Sequence, residues 1–461
     1  MVLFLGSARV VSVYESAETG AIVHSPRART RQSLSTQQIA AFTTAHGHSA
    51  KKHVEYLAKI GVKMVGNEQT ERTAPEYIMK QLDEIRTAAH ENIKFEIAIQ
   101  RPSGSFNTDF LGGINAKYEN VTNVVCRISS IDSEKATHDS ILINAHYDSA
   151  IGSPGASDDL SQVGVAIEIA RVLAAGNDHV PRAVILLFNG CEEFNWLAAH
   201  GFITSSVDLE MRTPGGHTHR EPNTWAHTVR GLVNLEAIGA KGRVLLTRTT
   251  SGAGWMTKAY ARSVLLPRAN VIADDVFRAK VFPGDTDLRA VRDFGGIDGL
   301  DLIFVENGYA YHTSQDETHQ ISANDLARAG GQLLALTLEL VHDLEKAKEG
   351  SLNLNMEEQV FFDILGQYLV MYNRSLGVQI NWAAAASGIV VSVLLSRFPV
   401  AEGGGFVQAL GGLLFPVFGA VAVGVVMNAT SPLSWYSDTR LCFALFLTPA
   451  VGSALWAAAG G

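Results

Sequence analysis

The sequence predicts an α/β domain with a mostly parallel central sheet and helices on both faces, followed by C-terminal transmembrane helices. The first part is predicted by short apolar segments that alternate with helical patterns such as 161–174, as in sheets covered by helices on both faces. These segments lie at 121–128, 140–144, 183–188, 231–235 and 302–305. The second part is predicted by the last 83 residues, 379–461, which contain only four charged side chains.

Composition limits the class of protein. The chain has 461 residues, which is more than one typical domain needs, and 47% of them are hydrophobic, so wholesale disorder is excluded. The formal net charge of −9 provides no basic field, and no nucleic-acid partner is expected. Three cysteines, Cys126, Cys191 and Cys442, are too few for a disulfide framework, although Cys126 and Cys191 could pair in an oxidising compartment.

The C-terminal region divides into uncharged runs at 380–396, 403–427 and 441–461. A helix that crosses a bilayer needs about 20 apolar residues, so three spans and a lipid bilayer as partner are predicted. The alternative is a buried helical bundle of a soluble protein. Because the third run reaches the last residue, we expect the chain to be a piece of a longer membrane protein.

Four segments are predicted along the chain. Residues 1–45 form an N-terminal arm, 46–345 the α/β domain, 346–378 an amphipathic linker, and 379–461 the membrane region.

The residues that directly follow the predicted strands share one chemistry. They are His146 and Asp148, Asp158, Glu192 and Glu193, Glu236, and His312. In α/β sheets, ligands bind at the carboxyl ends of the strands. Imidazole and carboxylate groups without thiolate suit Zn²⁺ or a similar ion, and a shared carboxylate can hold two ions about 3.5–4 Å apart. The pattern therefore predicts a two-metal hydrolase.

The chemistry assigns different tasks to neighbouring residues. Glu192 and Glu193 are adjacent and point in different directions, so one can bind a metal while the other moves a proton. Asp148, two residues after His146, is spaced to orient that imidazole. Taken singly, each signal is weak, because a histidine after a strand is more often structural and a Glu-Glu pair usually begins a solvated helix. The combination at successive strand ends is what favours a site.

Five motifs occur in an order that resembles the co-catalytic di-zinc aminopeptidase family over about residues 50–345. They are His146-Tyr147-Asp148-Ser149, Gly155-Ala156-Ser157-Asp158-Asp159, Glu192-Glu193, Asn234-Leu235-Glu236-Ala237-Ile238-Gly239 and Tyr311-His312-Thr313. Further segments at 283–287, 292–295, 306–309 and 360–363 resemble the endoplasmic reticulum metallopeptidase (Fxna-like) branch, which is related to vacuolar membrane proteases. The resemblance implies the zinc-dependent exopeptidase fold.

The resemblance also implies two zinc ions per chain and a role for each residue. One ion would be bound by His146, Asp158 and Glu236, and the other by Asp158, Glu193 and His312. Glu192 matches the general base, and Asp148 matches the carboxylate behind the first histidine ligand. The implied activity is that of an aminopeptidase, which removes N-terminal residues from peptides or proteins by means of zinc-bound hydroxide.

The sequence departs from the family pattern at two positions. Glu236 stands where soluble members often have aspartate, which changes the reach of this ligand to the first metal. Gln162 replaces the glycine expected after the aspartate pair, and Gly164 follows two residues later.

Two other classes of function remain open. A glutaminyl cyclase-like acyltransferase uses a similar fold with one zinc, and a non-catalytic receptor or scaffold keeps the fold without the activity. Zinc stoichiometry separates the first alternative from a di-zinc peptidase. The oligomeric state is left open.

Several other residues have a structural interpretation beside a functional one. His217 and His219 lie in a turn-rich insertion and are interpreted as a surface loop. Asp285 and Asp287 either line the pocket or form a structural turn.

The resemblance places the chain in the endoplasmic reticulum membrane as a multi-pass protein with a lumenal catalytic domain, the vacuolar membrane being the alternative. The N-glycosylation sequons at Asn120, Asn373 and Asn428 matter only if their segments face the lumen.

Overall fold

The computed structural model describes residues 22–24, 42–131, 137–176, 180–279 and 284–395, and short pieces at 414, 418–427, 429–430, 447 and 451–452. The described residues fall into two compact units. One lies within Met1–Val305 and Ala310–Arg374, and the other within Glu306–Tyr309 and Ser375–Gly461. Every residue predicted to form the site belongs to the first unit.

The first unit contains both strands and helices, and several strands follow one another directly along the chain. The strands are β1 (Ile22–His24), β2 (Ile93–Gln100), β3 (Gly104–Thr108), β4 (Ile114–Tyr118), β5 (Asn123–Ser130), β6 (Ser140–His146), β7 (Ala183–Asn189), β8 (Leu209–Arg212), β9 (Thr218–Glu221), β10 (Val229–Ala237), β11 (Leu245–Thr249), β12 (Gly299–Phe304), β13 (Gln359–Ile364) and β14 (Tyr368–Asn373). The helices are α1 (Thr44–Lys59), α2 (Ala74–Thr87), α3 (Leu160–Ala174), α4 (Leu197–Thr204), α5 (Gly254–Ser263), α6 (Ile272–Arg278), α7 (Asp287–Gly295) and α8 (Ala323–Lys348). A further helix, α9 (Arg374–Leu395), follows β14.

The central sheet has nine strands in the order β11-β12-β10-β6-β7-β5-β2-β8-β9. Only the neighbours β12-β10, β10-β6 and β6-β7 are parallel; the other five pairings are antiparallel. The prediction of a mostly parallel sheet is therefore wrong, and the sheet is mixed. All eight residues of β5 are buried, so this antiparallel strand lacks the alternation of buried and exposed residues that would distinguish it from a parallel one.

Each face of the sheet has its own apolar core. On β6, Ile141, Ile143 and Ala145 belong to the larger core, which also contains residues of α1, α3 and α8. Leu142 points to the opposite face and packs in the core that contains residues of α4 and α7. Because side chains alternate along a strand, Asn144 and His146 lie on the same face as Leu142. This alternation selects the face on which the site forms.

Helix α3 is the most deeply placed helix, with 14 of its 15 residues buried. A Cβ atom at Gly164 would lie 2.6 Å from the backbone oxygen of Ala50 in α1, so these two helices cross at a distance that only glycine permits. The preceding end of α3 carries Asp158 and Asp159, and the crossing therefore fixes the segment that enters the site.

Among the described residues, no helix is both long and apolar enough to cross a membrane. The expectation of C-terminal transmembrane helices is therefore wrong. The physical reason is visible in α9, whose first third contains the polar residues Arg374, Gln379 and Asn381.

Some expectations fall on residues that the structure does not describe. The N-terminal arm at 1–45 lies mostly outside the described residues, as do much of 403–427 and most of 441–461, with Cys442 and Asn428. Cys126 and Cys191 are described, and both are free, buried thiols.

His200, on α4, is packed rather than exposed. Its ring stacks on Phe106 with centroids 4.2 Å apart, and its Nδ1 atom lies 2.7 Å from the hydroxyl of Tyr118. Burial lowers the pKa of His200 from 6.5 to about 4. The folded protein therefore holds this imidazole neutral at a pH where the unfolded chain would protonate it.

This difference predicts a contribution of His200 to the pH dependence of stability. Since the folded pKa is lower than the unfolded one, the contribution is fully present above about pH 6.5 and is lost as the pH falls toward 4. We expect His200→Gln to flatten the fall in melting temperature between pH 6.5 and 4.5, measured by thermal unfolding. His219→Gln, which changes an exposed histidine, should leave the wild-type slope; equal slopes for all three proteins would contradict the prediction.

Candidate metal centre

The predicted site residues come from five segments that meet at one edge of the sheet. His146 ends β6, and Glu236 is the penultimate residue of β10. The other residues lie in connections: Asp158 just before α3, Glu192 and Glu193 in the turn after β7, and His312 after β12. Because β10, β6 and β7 are parallel, their carboxyl ends lie side by side.

Asp158 lies between two histidines. Its Oδ1 atom is 3.2 Å from Nε2 of His146, and its Oδ2 atom is 3.1 Å from Nε2 of His312. Nε2 of His146 is also 3.4 Å from Oε1 of Glu236, and Nε2 of His312 is 3.1 Å from Oε2 of Glu193. The structure thus brings all five predicted metal ligands together as two groups of three that share Asp158.

Glu192 lies beside the first of these groups. His146, Glu192 and Glu236 each place one ligand atom within 4.8 Å of the others, as do His146, Asp158 and Glu193. Glu192 is buried, with 8% of its surface exposed. Its carboxyl group is therefore next to the ligands of the first group.

Exposure distinguishes His312 from the other ligands. The side chains of His146, Asp158, Glu193 and Glu236 are at most 7% exposed, whereas that of His312 is 42% exposed. His312 also has a backbone φ of 57°, in the left-handed region that non-glycine residues rarely adopt. The site therefore opens to solvent beside His312, the ligand whose backbone has this unusual conformation.

The two imidazoles take up positive charge in this environment. Burial by itself would lower the pKa of His312, but hydrogen bonds and the charges of Asp158 and Glu193 outweigh it and raise the pKa to about 10. The pKa of His146 is likewise raised, because the nearby carboxylates outweigh burial. Burial opposes ionisation of Asp158, yet its bonds to both histidines lower its pKa to about 2.

The remaining carboxyl groups are held too close together to ionise freely. Burial, followed by repulsion from neighbouring carboxylates, raises the pKa of Glu192 and Glu193. Burial and the charge of Asp158 raise the pKa of Glu236 to about 8, although His146 opposes the shift. Four acidic side chains in one buried pocket are thus short of positive charge, which a bound cation would supply.

The donor set fits a divalent metal ion. Oε1 of Glu193 is buried and has no hydrogen-bond partner among the described residues, so it is free to bind a further group. The set consists of imidazole nitrogens and carboxylate oxygens without thiolate, which suits zinc. The residues present therefore fit one or two zinc ions.

Asp148 is fully buried behind the site and connects two ligand segments. Its Oδ1 atom accepts a hydrogen bond from the backbone N–H of Glu192, and its Oδ2 atom accepts one from that of Glu193, both at 3.1 Å. Oδ1 is also 3.3 Å from Nδ1 of His146. Asp148 therefore orients the Glu192-Glu193 turn as well as lying behind the imidazole.

Asp316 is a buried carboxylate near the site that the sequence patterns did not single out. Its Oδ1 atom accepts hydrogen bonds from the backbone N–H and the hydroxyl of Ser157, and its Oδ2 atom accepts one from the backbone N–H of Asp158. The only signal in the sequence is its position four residues after His312. The contact itself joins segments 158 or 159 residues apart.

Lys63 is fully buried on the same side of the molecule, and the sequence contains no signal of this. Its ammonium group donates to the backbone oxygens of Gly61 and Pro154, at 3.0 and 2.8 Å. Burial lowers its pKa to about 8, opposed by the charges of Asp148 and Asp316. Lys63 thus holds the loop that leads to Asp158 and places a cation behind the acidic site.

A row of buried asparagine side chains lies on the same strands as the ligands, two residues before the strand-end ligands. Asn144 and Asn234, two residues before His146 and Glu236, are paired across β6 and β10 at 2.7 Å. Asn144 and Asn189 both donate to Oδ2 of Asp287, each at 2.7 Å. A polar residue inside an otherwise apolar buried strand is a signal that sequence reasoning could have used, because such residues need a partner.

The row of amides ends in a buried ion-pair cluster. Asn234 donates to Oδ1 of Asp301, and Arg248 binds Asp301 at 2.7 Å and Asp285 at 2.6 Å. Arg248 also donates to the hydroxyl of Thr286, which caps α7. Asp285 is thus part of a structural cluster, and Asp287 lies in the amide layer, where burial raises its pKa to about 6.

The two departures from the family pattern have a structural setting. The side-chain amide of Gln162 donates to the backbone oxygen of Glu236 at 3.3 Å. The glutamate carboxylate turns back toward its own strand, where its Oε1 atom accepts a bond from the N–H of Ala237 at 3.0 Å. Gln162 therefore helps to hold the strand end that carries the longer ligand.

His217 and His219 lie apart from the centre. They belong to the hairpin formed by β8 and β9, where all four residues of β9 are exposed, and His219 is 3.0 Å from Glu221. The structure places them on the surface, as the sequence predicts.

Comparison with known proteins assigns the class. Residues 123–337 match Peptidase family M28, and this range includes all seven predicted site residues. These residues therefore form a Peptidase family M28 domain.

Two relatives with curated names narrow the assignment. The chain is 35% identical over 443 residues to the human protein named Endoplasmic reticulum metallopeptidase 1, an alignment that covers 92% of this chain and 46% of the relative. It is 30% identical over 315 residues to a Vacuolar membrane protease of Pyrenophora teres, covering 64% of this chain and 30% of that protein. The resemblance to the endoplasmic reticulum branch is therefore supported, while the chain spans about half the length of the curated relatives it matches.

Among solved structures, the LapA aminopeptidase of Legionella pneumophila is 12% identical, with a TM-score of 0.49. The match covers 67% of this chain and 75% of the LapA chain.

The ion-pair cluster below the site yields a prediction on stability. Arg248→Met would leave Asp285 and Asp301 buried without their counter-ion, so we expect the free energy of unfolding to fall by about 3–5 kcal/mol. Denaturation in urea measures this change. The matched control is Arg230→Met, which removes a half-exposed pair with Asp139 and should cost about 0–1 kcal/mol. Equal losses for the two variants would contradict the prediction.

Proposed function

We propose that this chain is a zinc-dependent aminopeptidase with two metal sites. The observation that carries the proposal is the position of Asp158, which offers one carboxylate oxygen to each of two histidine-carboxylate groups. His146, Asp158 and Glu236 would hold one zinc, and Asp158, Glu193 and His312 the other. When bound, the ions would polarise the scissile carbonyl group and lower the pKa of a water molecule at the site.

Glu192 is proposed to be the general base. It is buried beside the first metal group without being a member of either group that contacts Asp158. Burial and the charge of Glu236 raise its pKa, so its carboxyl group accepts a proton more readily than that of a solvent-exposed glutamate. Glu192 would take the proton from the attacking water, and as the C–N bond breaks it would pass the proton to the departing amine.

The remaining residues would hold this geometry. Asp148 fixes the backbone of Glu192 and Glu193, which sets the direction of both side chains. The ligands are buried except on the side of His312, so access is from one direction. Such access favours the free end of a peptide chain over the middle of a folded one.

The role of Glu192 is tested by Glu192→Gln, which keeps the shape and removes the basic group. We expect turnover on aminoacyl fluorogenic substrates to fall by about 10²–10⁴-fold, because general-base catalysis contributes that much. Zinc content, measured by mass spectrometry of the purified protein, should be unchanged.

The matched variant is Glu193→Gln, on the neighbouring residue. It should lower the zinc content as well as the activity, because Glu193 is proposed as a ligand. Undiminished turnover in Glu192→Gln, or loss of zinc in that variant, would overturn the assignment of the base.

A substrate panel tests the reaction class. Peptides with unblocked N-termini should release their first residue, and two zinc ions per chain should be found. Release of ammonia and ring closure on N-terminal glutaminyl peptides, with one zinc, would instead indicate a glutaminyl cyclase-like acyltransferase.

We also propose that the M28 domain faces the lumen of the endoplasmic reticulum, as the names of its relatives suggest. Asn120, in the sequon Asn120-Val121-Thr122, is exposed on the turn between β4 and β5. Asn373 is only half exposed, and its side chain accepts a bond from Gln359 at 2.9 Å. Of these two sequons, Asn120 is therefore the more accessible.

This location predicts a glycan on Asn120. When the protein is expressed in eukaryotic cells, its electrophoretic mobility should shift after endoglycosidase treatment. Asn120→Gln should remove most of that shift. Asn373→Gln is the matched control. Digestion of the domain by protease in sealed microsomes, without detergent, would refute the lumenal location.

A further inference from the structure

The bridging residue of the site is held from behind by another carboxylate. Asp316 is fully buried and uses both of its oxygens. Oδ1 accepts the N–H of Ser157 at 2.8 Å and the Ser157 hydroxyl at 2.5 Å, and Oδ2 accepts the N–H of Asp158 at 3.2 Å. The backbone oxygen of Asp316 also accepts a bond from the N–H of Ala156 at 3.2 Å. Three consecutive residues that end at Asp158 are therefore attached to this one residue.

Asp316 also closes the turn that carries His312. The backbone N–H of Asp316 donates to the oxygen of Thr313 at 3.2 Å, and the N–H of Thr313 donates to the oxygen of Ala310 at 3.0 Å. The hydroxyl of Thr313 donates to the same oxygen of Ala310 at 2.7 Å. His312, within this turn, has a φ of 57°. Such a conformation persists only where the surroundings hold it.

The two metal groups differ in how their ligands are supported. His146 and Glu236 belong to paired central strands, β6 and β10. His312 lies outside the strands, and its side chain is 42% exposed. Asp316 connects the two segments: its carboxylate binds Ser157 and Asp158, and its backbone N–H binds Thr313 in the His312 turn. In the second group, two of the three ligands, Asp158 and His312, thus depend on Asp316. In the first group, only Asp158 does.

We propose that Asp316 is a positioning residue that sets the metal affinity of the second group, formed by Asp158, Glu193 and His312. This inference rests on the proposed function, because it requires two metal sites. Asp316 touches neither the substrate nor a metal in this proposal. It acts by fixing the backbone of Asp158 and the turn of His312.

The test is Asp316→Asn in the full chain. An amide that keeps its oxygen toward Ser157 turns an NH₂ group toward the N–H of Asp158, so that bond is replaced by repulsion between two donors. We expect the apo-protein, titrated with zinc and followed by calorimetry, to keep one site of wild-type affinity within about threefold and to lose about 10–100-fold at the other, as is typical when a partner of a metal ligand is removed.

Two matched variants complete the design. Glu317→Gln removes a carboxylate from the adjacent, half-exposed residue and should leave both affinities unchanged. Ser157→Ala removes the hydroxyl donor to Asp316 and should weaken the same single site by a smaller factor. If Asp316→Asn does not fold, as judged by thermal unfolding, the result for Ser157→Ala decides the question.

The outcomes separate the two proposals. A wild-type chain that binds fewer than two zinc ions overturns the proposed function and this inference with it. Two ions in the wild-type chain, with both sites weakened equally in Asp316→Asn or neither weakened, overturn the inference alone.

Discussion

The structure of the first unit depends on four buried carboxyl groups that meet two imidazoles, one buried and one partly exposed, at one edge of a sheet. Charged groups in such a place are costly unless opposite charge and hydrogen bonds compensate them. Raised pKa values for Glu192, Glu193 and Glu236 are signs of that cost, and the raised pKa values of His146 and His312 show the excess of negative charge around them. A divalent cation relieves it, which is the physical reason for regarding this edge as a metal centre.

Much of the polar interior supports that edge. Below the ligands, the amides of Asn144 and Asn234 link β6 to β10, and the ion pairs of Arg248 continue the network toward α7. Behind the ligands, Asp148 and Asp316 bind backbone N–H groups of the ligand segments themselves. The ligands thus owe their positions to backbone contacts as well as to packing, so substitutions that leave all five ligands intact are expected to change metal binding.

The family assignment and the site geometry support the same mechanism from independent directions. The M28 match rests on sequence, whereas the sharing of Asp158 between two histidines is a property of the fold. In the proposed mechanism, Glu193 binds metal and Glu192 transfers the proton; in the structure, Glu193 contacts His312, while Glu192 lies near His146 and Glu236. The mixed sheet leaves this arrangement intact, because the ligand-bearing strands β10 and β6, with β7 before the glutamate pair, are its parallel part.

The sequence by itself determined the α/β class and the set of residues that meet at the site, because residues after parallel strands share one edge and motif spacing is local. It misjudged the flanking strands, since an antiparallel strand buried on both faces, such as β5, lacks the alternating pattern that would distinguish it from a parallel one. It also misjudged the last described helix, where polar residues shorten the apolar run. Only the tertiary structure decided the roles of Lys63 and Asp316. Lys63 binds Pro154, which lies 91 residues away, and Asp316 binds Ser157 and Asp158, which lie 159 and 158 residues away. The physical reason is that no local sequence pattern records a contact over such a distance.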